Sequence, residues 1–206
     1  MAIYPPCYPP RPVNGGPLDK ALPKSGDWTM EGKYNGWYAW VHTPTRAMFN
    51  RKNEPLSIAH EFNAALDVAC RLPFEWLNVE ALERRHKIGQ GSLILLDSPI
   101  KGAFAERKAI LRAAALGNGG CLDHVEADRP LENNRIYLPL TKPQGIGDLL
   151  WWQVLKSANV LLGGNGRCGT HFWEGVVTKR NDSHYPMQLR SPEQDFPFWM
   201  KHRWSF

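Results

Sequence analysis

The segment Trp28–His42 reads WTMEGKYNGWYAWVH, and it is the stretch on which the fold of this sequence depends. Aromatic and β-branched residues dominate it, which favours strands. Asn35-Gly36 lies at its centre and has the chemistry of a tight turn or a bulge. A second turn near Thr43-Pro44-Thr45 leads into RAMFNR. The pattern predicts a β-hairpin that runs from Trp28 to Phe49.

Outward from this segment, short strands alternate with a few helices. Ser57 can cap a helix that runs to about Cys70, and AFAERKAILRAAAL at residues 103–116 is the clearest helix of the sequence. The other predicted elements are a helix around 146–158 and strands over FEWLNVEAL (74–82), GSLILLDSP (91–99), RIYLPL (135–140), HFWEGVVTKR (171–180) and PFWMKHRW (197–204). The sequence therefore predicts an α+β fold in which antiparallel strands dominate.

The domain organisation that we predict is simple. Residues 1–27 are rich in proline and glycine and should form an N-terminal arm, and residues 28–206 should form one domain. The segment GGNGRCG, which begins at Gly163, lacks the lysine and Ser/Thr of a phosphate-binding P-loop and is interpreted as a flexible connection.

The composition bounds the class of protein. Of the 206 residues, 43% are hydrophobic and 22% are charged, as in ordinary globular proteins. The sequence contains neither an apolar run of bilayer length nor a secretory signal, so a cytoplasmic protein without a membrane partner is expected. The four cysteines form no C-x-x-C pair and are predicted to be reduced thiols. A net charge of +5 favours a polyanionic partner.

Charged residues interrupt the apolar stretches of several predicted strands. Because burying an unpaired charge is costly, such residues tend to be paired or functional. Simpler interpretations stay open: Glu80 as a solvated acid, Asp97 as a turn cap, Lys179 as part of a wet basic edge, and Arg107 as a salt-bridge partner. The interrupting residues and their neighbours are, in chain order, Lys33, Arg51, Glu80, Asp97, Glu174, Lys201 and Arg203.

In this order, the segments resemble the motifs of one superfamily, which contains the ATP-dependent DNA ligases, RNA ligases and mRNA capping enzymes. KYNG is similar to its K-x-D-G motif, and EGVVTK is similar to its E-G-x-x-x-K motif. The other matching segments are FNRKNEPL, WLNVEAL, LILLDSP, FAERKAIL and the tail DSHYPMQLRSPEQDFPFWMKHR. The resemblance spans residues 28–203 and points to DNA ligases more than to capping enzymes. It implies an adenylation domain with antiparallel sheets, flanking helices and a nucleotide between them.

The resemblance also implies roles for individual residues. Lys33 takes the place of the lysine that becomes covalently adenylated, with Lys201 and Glu174 as further catalytic residues. Glu31 takes the place of a residue that lines the adenine pocket. The implied nucleotide contacts are Glu31, Arg51, Glu80, Lys179, Lys201 and Arg203, and the implied ligands of Mg²⁺ (or of Mn²⁺ as an alternative) are Glu80 and Glu174.

Physical chemistry explains why these residue types occur together. A lysine amine attacks phosphorus only in its neutral form, and nearby cations disfavour the protonated form. The same cations stabilise the charge of the transition state, and carboxylates hold Mg²⁺. The expected function is ATP-dependent sealing of nicked double-stranded DNA through a lysine–AMP intermediate and an adenylated 5′-phosphate.

Three departures from the family pattern bear on this expectation. Asn35 replaces the family aspartate, which removes a negative charge near the phosphate. Leu96 stands where an aromatic residue often stacks on adenine, and no OB-fold domain is expected after Arg203. The alternatives are an RNA ligase, a capping guanylyltransferase, or a degenerate domain that binds nucleic acid without catalysis. A monomer is expected, with a partner chain as one source of the missing clamp and a viral or phage origin suggested by the compact form.

Overall fold

Two β-sheets form the framework of the protein, which is described from a computed structural model over residues 3–18, 27–83, 87–117, 120–162 and 171–204. The first sheet has the strand order β1 (Arg11–Asn14), β11 (Asp195–Arg203), β10 (Trp173–Arg180), β2 (Trp28–Tyr34) and β9 (Thr141–Pro143). The second sheet has the order β4 (Ala47–Phe49), β3 (Trp37–His42), β5 (Trp76–Leu82), β6 (Ser92–Asp97), β8 (Ile136–Leu138) and β7 (Cys121–Asp123). Among these strands, the pairs β1–β11, β6–β8 and β7–β8 are parallel and the others are antiparallel. The predicted α+β class is confirmed.

Three α-helices accompany the sheets in the described part of the chain. They are α1 (Asn63–Ala69), which continues a 3-10 helix over Ala59–Phe62, α2 (Phe104–Gly117) and α3 (Asp148–Leu161). The helix predicted from Ser57 therefore begins later, and no side chain caps its 3-10 turn. None of these helices has the length and apolar character that a membrane-spanning helix needs.

The hairpin predicted from Trp28 to Phe49 is wrong in its first half, because β2 and β3 lie in different sheets. The backbone N–H of Asn35 donates to the carbonyl of Phe172, beside β10, at 3.1 Å. The next N–H, of Gly36, donates to the Glu80 carboxylate on β5 at 2.9 Å. Neither Asn35 nor Gly36 has the positive φ of a type I′ hairpin turn. The pair marks a crossing between sheets, whereas β3 and β4 do form a hairpin.

Two apolar cores hold the sheets and helices together. One core packs the second sheet against α1 and α2, and it includes the fully buried Leu77 and Leu111. The other core packs α3 against the first sheet, and it includes Leu155 and Trp173, also fully buried. Each such side chain contributes roughly 1.5–3 kcal/mol when it leaves water. The cores therefore fix the two sheets that flank the site described below.

A buried ion pair fastens α2 to the second sheet. The Arg107 guanidinium, which is fully buried, donates to both carboxylate oxygens of Asp97 at 2.9 and 3.1 Å. It also donates to the carbonyls of Gly102 and Ser183 at 2.8 and 3.0 Å. Arg107 is therefore the salt-bridge partner that was predicted from its position on a helix. Asp97 anchors α2 to the second sheet, so its role goes beyond capping a turn.

The proline-rich N-terminal segment packs onto the domain. Its residues 11–14 form the edge strand β1, which runs parallel to β11. Cys7 is buried in a cluster with Trp40, and burial raises the pKa of its thiol to about 12. Cys70 and Cys121 are also free thiols, as predicted, whereas Cys168 and the predicted connection at 163–169 lie outside the described residues.

Candidate active site

Strand register brings the chemically important residues to one face of the first sheet. Side chains two positions apart on a strand share a face, and rows of paired residues cross β2, β10 and β11. Successive rows lie about 7 Å apart, because a strand advances about 3.3 Å per residue. The three rows, each in the order β2, β10, β11, are Lys33–Gly175–Arg203, Glu31–Val177–Lys201 and Thr29–Lys179–Trp199.

A pocket of about 250 Å³ opens over these rows, between the two sheets. The second sheet contributes Tyr38, Glu80 and Leu96 to its wall, and the N-terminal segment contributes Pro10 and Pro12. Seven of the eight predicted site residues line the pocket: Glu31, Lys33, Arg51, Glu80, Lys179, Lys201 and Arg203.

The eighth predicted residue, Glu174, contacts the candidate nucleophile directly. Its Oε2 atom accepts a hydrogen bond from Nζ of Lys33 at 2.5 Å. The same oxygen lies 3.1 Å from the Arg203 guanidinium. Lys33 and Glu174 are both largely buried, with side chains 17% and 22% exposed, so this charge pair is only partly screened by water. An acceptor for the lysine proton is therefore already in position.

At the second row, a buried carboxylate is held between two ammonium groups. One Glu31 oxygen accepts from Nζ of Lys108 at 2.5 Å, and the other lies 2.7 Å from Nζ of Lys179. Burial alone raises the pKa of Glu31, but the two ammonium groups outweigh burial and hold that pKa below its ordinary value. Because Lys179 is only 3% exposed, its interpretation as a wet basic edge is wrong.

Glu80 faces Lys33 from the opposite sheet. Burial raises its pKa, the Lys33 ammonium and the Gly36 N–H oppose that rise, and the Glu174 carboxylate adds to it. The two carboxylates are therefore close enough to repel each other. Glu80 is not a freely solvated acid.

Further cations surround the open side of the pocket. The Arg51 guanidinium lies 5.6 Å from the centre of the Tyr38 ring. Partial burial lowers the pKa of Lys201, and the charges of Arg203, Arg11 and Arg51 lower it further. This mutual repulsion shows a concentration of positive charge that an anion would relieve.

Sequence patterns missed several residues of the pocket. Lys108 follows Arg107 in a helix whose two arginines pair with Asp97 and Asp123, so nothing in its spacing marked it. Trp199 lies 4.3 Å below the Lys179 ammonium, but its place in an aromatic-rich strand suggested core packing. Pro10 and Pro12 carried no signal, because proline-rich segments are typical of loops.

The family departure at Asn35 has a structural explanation. The Asn35 side-chain amide donates to the His171 carbonyl at 3.0 Å, and Asn35 is not among the residues that line the pocket. An aspartate could not donate this hydrogen bond. The asparagine therefore removes no charge from the pocket wall. The second departure, Leu96, does line the pocket, where it offers an apolar surface in place of an aromatic ring.

We expect Asn35→Asp to destabilise the protein by about 1–3 kcal/mol, because it sets a carboxylate against the His171 carbonyl. Urea unfolding measures the change. Asn35→Ala, which removes the donor without adding charge, separates the two contributions and should be milder. An Asn35→Asp protein as stable as the wild type would instead show that the new carboxylate does not face the His171 carbonyl.

Two carboxylates beside Lys33 suit one kind of metal site. Mg²⁺ in phosphate-transferring sites uses one or two protein carboxylates and completes its shell with water and phosphate oxygens. Glu80 and Glu174 fit that pattern, and their mutual repulsion would be relieved by a cation. Within the described residues, no cluster of three or more His, Cys, Asp or Glu side chains forms a full protein cage for a metal ion.

Solved structures with a similar fold include DNA ligases. The ligase domain of LigD from M. tuberculosis has a TM-score of 0.57 and 16% identity over 96% of this chain and 59% of its own. A mycobacterial DNA ligase D complexed with ATP and MES has a TM-score of 0.53 and 17% identity over 95% and 60%. The Chlorella virus DNA ligase-adenylate has a TM-score of 0.54 and 12% identity over 94% and 68%.

These likenesses define the fold. At the level of sequence, no protein-family model and no curated protein matches the chain. The described fold is that of the ligase domain of DNA ligases, which confirms the resemblance at the level of structure. The chain spans 59% of the length of the LigD ligase domain.

Proposed function

We propose that this protein is an ATP-dependent polynucleotide ligase that seals nicked DNA through AMP carried on Lys33. One observation supports this most: a lysine in contact with a carboxylate lies in a pocket with four further cations and two further acids. The ligase fold of the chain supports the same proposal, and two proteins of that fold were solved with ATP and as an adenylate.

In the first step, Nζ of Lys33 attacks the α-phosphorus of ATP. A P–N bond forms, the bond to the bridging oxygen breaks, and pyrophosphate leaves. Oε2 of Glu174, 2.5 Å from Nζ, takes the proton that converts the ammonium group to a neutral amine, and the N–H proton released as the P–N bond forms passes to water. Arg51, Lys201 and Arg203 stabilise the charge that develops on the phosphate oxygens.

In the second step, an oxygen of the 5′-phosphate at a nick attacks the phosphorus of lysine–AMP. The P–N bond breaks, a pyrophosphate linkage forms, and the amine of Lys33 regains its proton. In the third step, the neighbouring 3′-hydroxyl attacks the 5′-phosphate, loses its proton and releases AMP. The cations around Lys201 bind the strand phosphates in both steps.

Glu80 and Glu174 are the residues that would hold Mg²⁺ in this site. When bound, the ion neutralises phosphate charge and favours departure of pyrophosphate. Glu174 would then serve both as the acceptor of the lysine proton and as a ligand of the ion.

Incubation with α-labelled ATP and Mg²⁺ tests the proposal. We expect label on the wild-type protein and none on Lys33→Ala, because no other amine in the pocket is paired with Glu174. GTP in place of ATP tests the capping alternative. Sealing of nicked DNA compared with nicked RNA tests the polynucleotide. An unlabelled wild type, or equal label on Lys33→Ala, would contradict the proposed chemistry.

A nucleic-acid-binding domain without catalysis is the second candidate, and the net charge of +5 favours it. It predicts salt-dependent DNA binding with no labelled lysine. Asn35, the departure from the family motif, gives this candidate little support, because its side chain bonds to the His171 carbonyl and does not line the pocket. A separate clamp chain and the monomeric state belong to the proposal too, and sedimentation with and without nicked DNA tests both.

A further inference from the structure

Glu31 is paired with two lysines, although one lysine is enough to neutralise its negative charge. Glu31 is 2% exposed, and Lys179 alone would neutralise it at 2.7 Å. Lys108, whose side chain is 15% exposed, adds a second ammonium at 2.5 Å and leaves the group with a net positive charge. Burial lowers the pKa of Lys108, so the fold bears a cost to keep this ammonium there. A cost of this kind points to a function beyond charge balance.

Position along the sheet indicates what Glu31 faces. Lys33, which the proposed function places against the α-phosphorus, belongs to the first row, and Glu31 belongs to the second, about 7 Å away on the same face. Val177 and Leu96 offer apolar surface beside it. We therefore place the base of a nucleotide whose phosphate lies at Lys33 beside Glu31, where an ionised carboxylate can only accept hydrogen bonds.

We propose that Lys108 is a positioning residue for base selection: it holds the Glu31 carboxylate fixed and ionised, so that the pocket prefers a purine with a 6-amino group over one with a 6-oxo group. This inference rests on the proposed function for the placement of the nucleotide. Lys108 acts from α2 through one Glu31 oxygen, while Lys179 acts from β10 through the other. With both oxygens anchored, the carboxylate cannot turn, and its remaining lone pairs keep one direction.

Removal of Lys108 should loosen this selection. Burial raises the pKa of Glu31, and without Lys108 only the Lys179 ammonium opposes that rise. The protonated form of Glu31 is therefore favoured. A protonated Glu31 can donate to a 6-oxo group as readily as it accepts from a 6-amino group. The carboxyl group is also free to rotate about Lys179.

The test compares the binding of ATP and inosine triphosphate by calorimetry in a Lys33→Ala background, in which no label transfer occurs. With Lys108 present, we expect ATP to bind about tenfold more tightly or better, since an unmet hydrogen bond at a buried acid costs about 1–3 kcal/mol. Lys108→Met should bring the two affinities to within about threefold, chiefly by improving the binding of inosine triphosphate. Lys108→Arg should restore the preference, and Lys101→Met, at an exposed position, should leave it unchanged.

Several outcomes would contradict the inference. They are an unchanged preference in a folded Lys108→Met protein, and an equal loss of affinity for both nucleotides, which a merely structural role predicts. Equal binding with Lys108 present contradicts the inference alone. Preference for ATP that is lost in Lys108→Met, without any label on Lys33 of the wild type, contradicts the proposed function but supports this inference, and binding of neither nucleotide contradicts both.

Discussion

In the proposed mechanism, replacement of Glu174 by glutamine is expected to slow the transfer of AMP to Lys33 by about 100-fold or more, the range for loss of a general base. Glutamine has the shape of glutamate but cannot take a proton from the ammonium group that lies 2.5 Å away. It also leaves the Arg203 guanidinium without its anionic partner. Both changes act on the chemical step, so the rate should fall much more than the affinity for ATP. Single-turnover labelling with saturating ATP measures that rate.

Glu126→Gln is the matched control, because Glu126 is an exposed acid outside the pocket. It should transfer AMP at the wild-type rate. Raised pH should partly restore Glu174→Gln, since solvent hydroxide can then remove the lysine proton. A Glu174→Gln protein within threefold of the wild-type rate would remove Glu174 from the mechanism.

Replacement of Gly175 by alanine is expected to cost about 3–5 kcal/mol of unfolding free energy, from steric overlap and backbone strain together. Gly175 has φ +143°, and a Cβ atom there would lie 1.9 Å from the carbonyl oxygen of His202 on β11. Relief requires β10 and β11 to separate, which carries Arg203 away from Lys33. The protein should melt roughly 10 °C lower and bind ATP weakly.

Gly117→Ala is the matched control for this change. Gly117 ends α2, and no atom lies within 4 Å of the Cβ that alanine would add. Its melting temperature should equal that of the wild type. If Gly175→Ala also melted at the wild-type temperature, the paired register of β10 and β11 would be wrong, and with it the first row of the pocket.

Part of the candidate site could be predicted from local sequence pattern. Charged residues within apolar strands are rare, so each of them indicated a paired or functional position. Lys33, Glu80 and Glu174 stood out for that reason. Lys33 and Glu80 do line one pocket, and Glu174 contacts Lys33 there. Asn35-Gly36 was misleading, since the same two residues serve a hairpin or a crossing between sheets, and only tertiary pairing decides between them. Lys108 was beyond reach, because its partner Glu31 lies 77 positions away in sequence.

The order of strands in the first sheet has a consequence for how the protein is made. Lys33 meets Glu174 across 141 positions of sequence, and Arg11 meets Glu193 across 182. Contacts of such separation form late, because a long loop must close before they stabilise anything. A nascent chain whose β11 has not yet left the ribosome contains Lys33 but lacks the β11 cations Lys201 and Arg203. If Lys33 acts as proposed, we therefore expect its amine to stay unreactive toward ATP until β11 has left the ribosome.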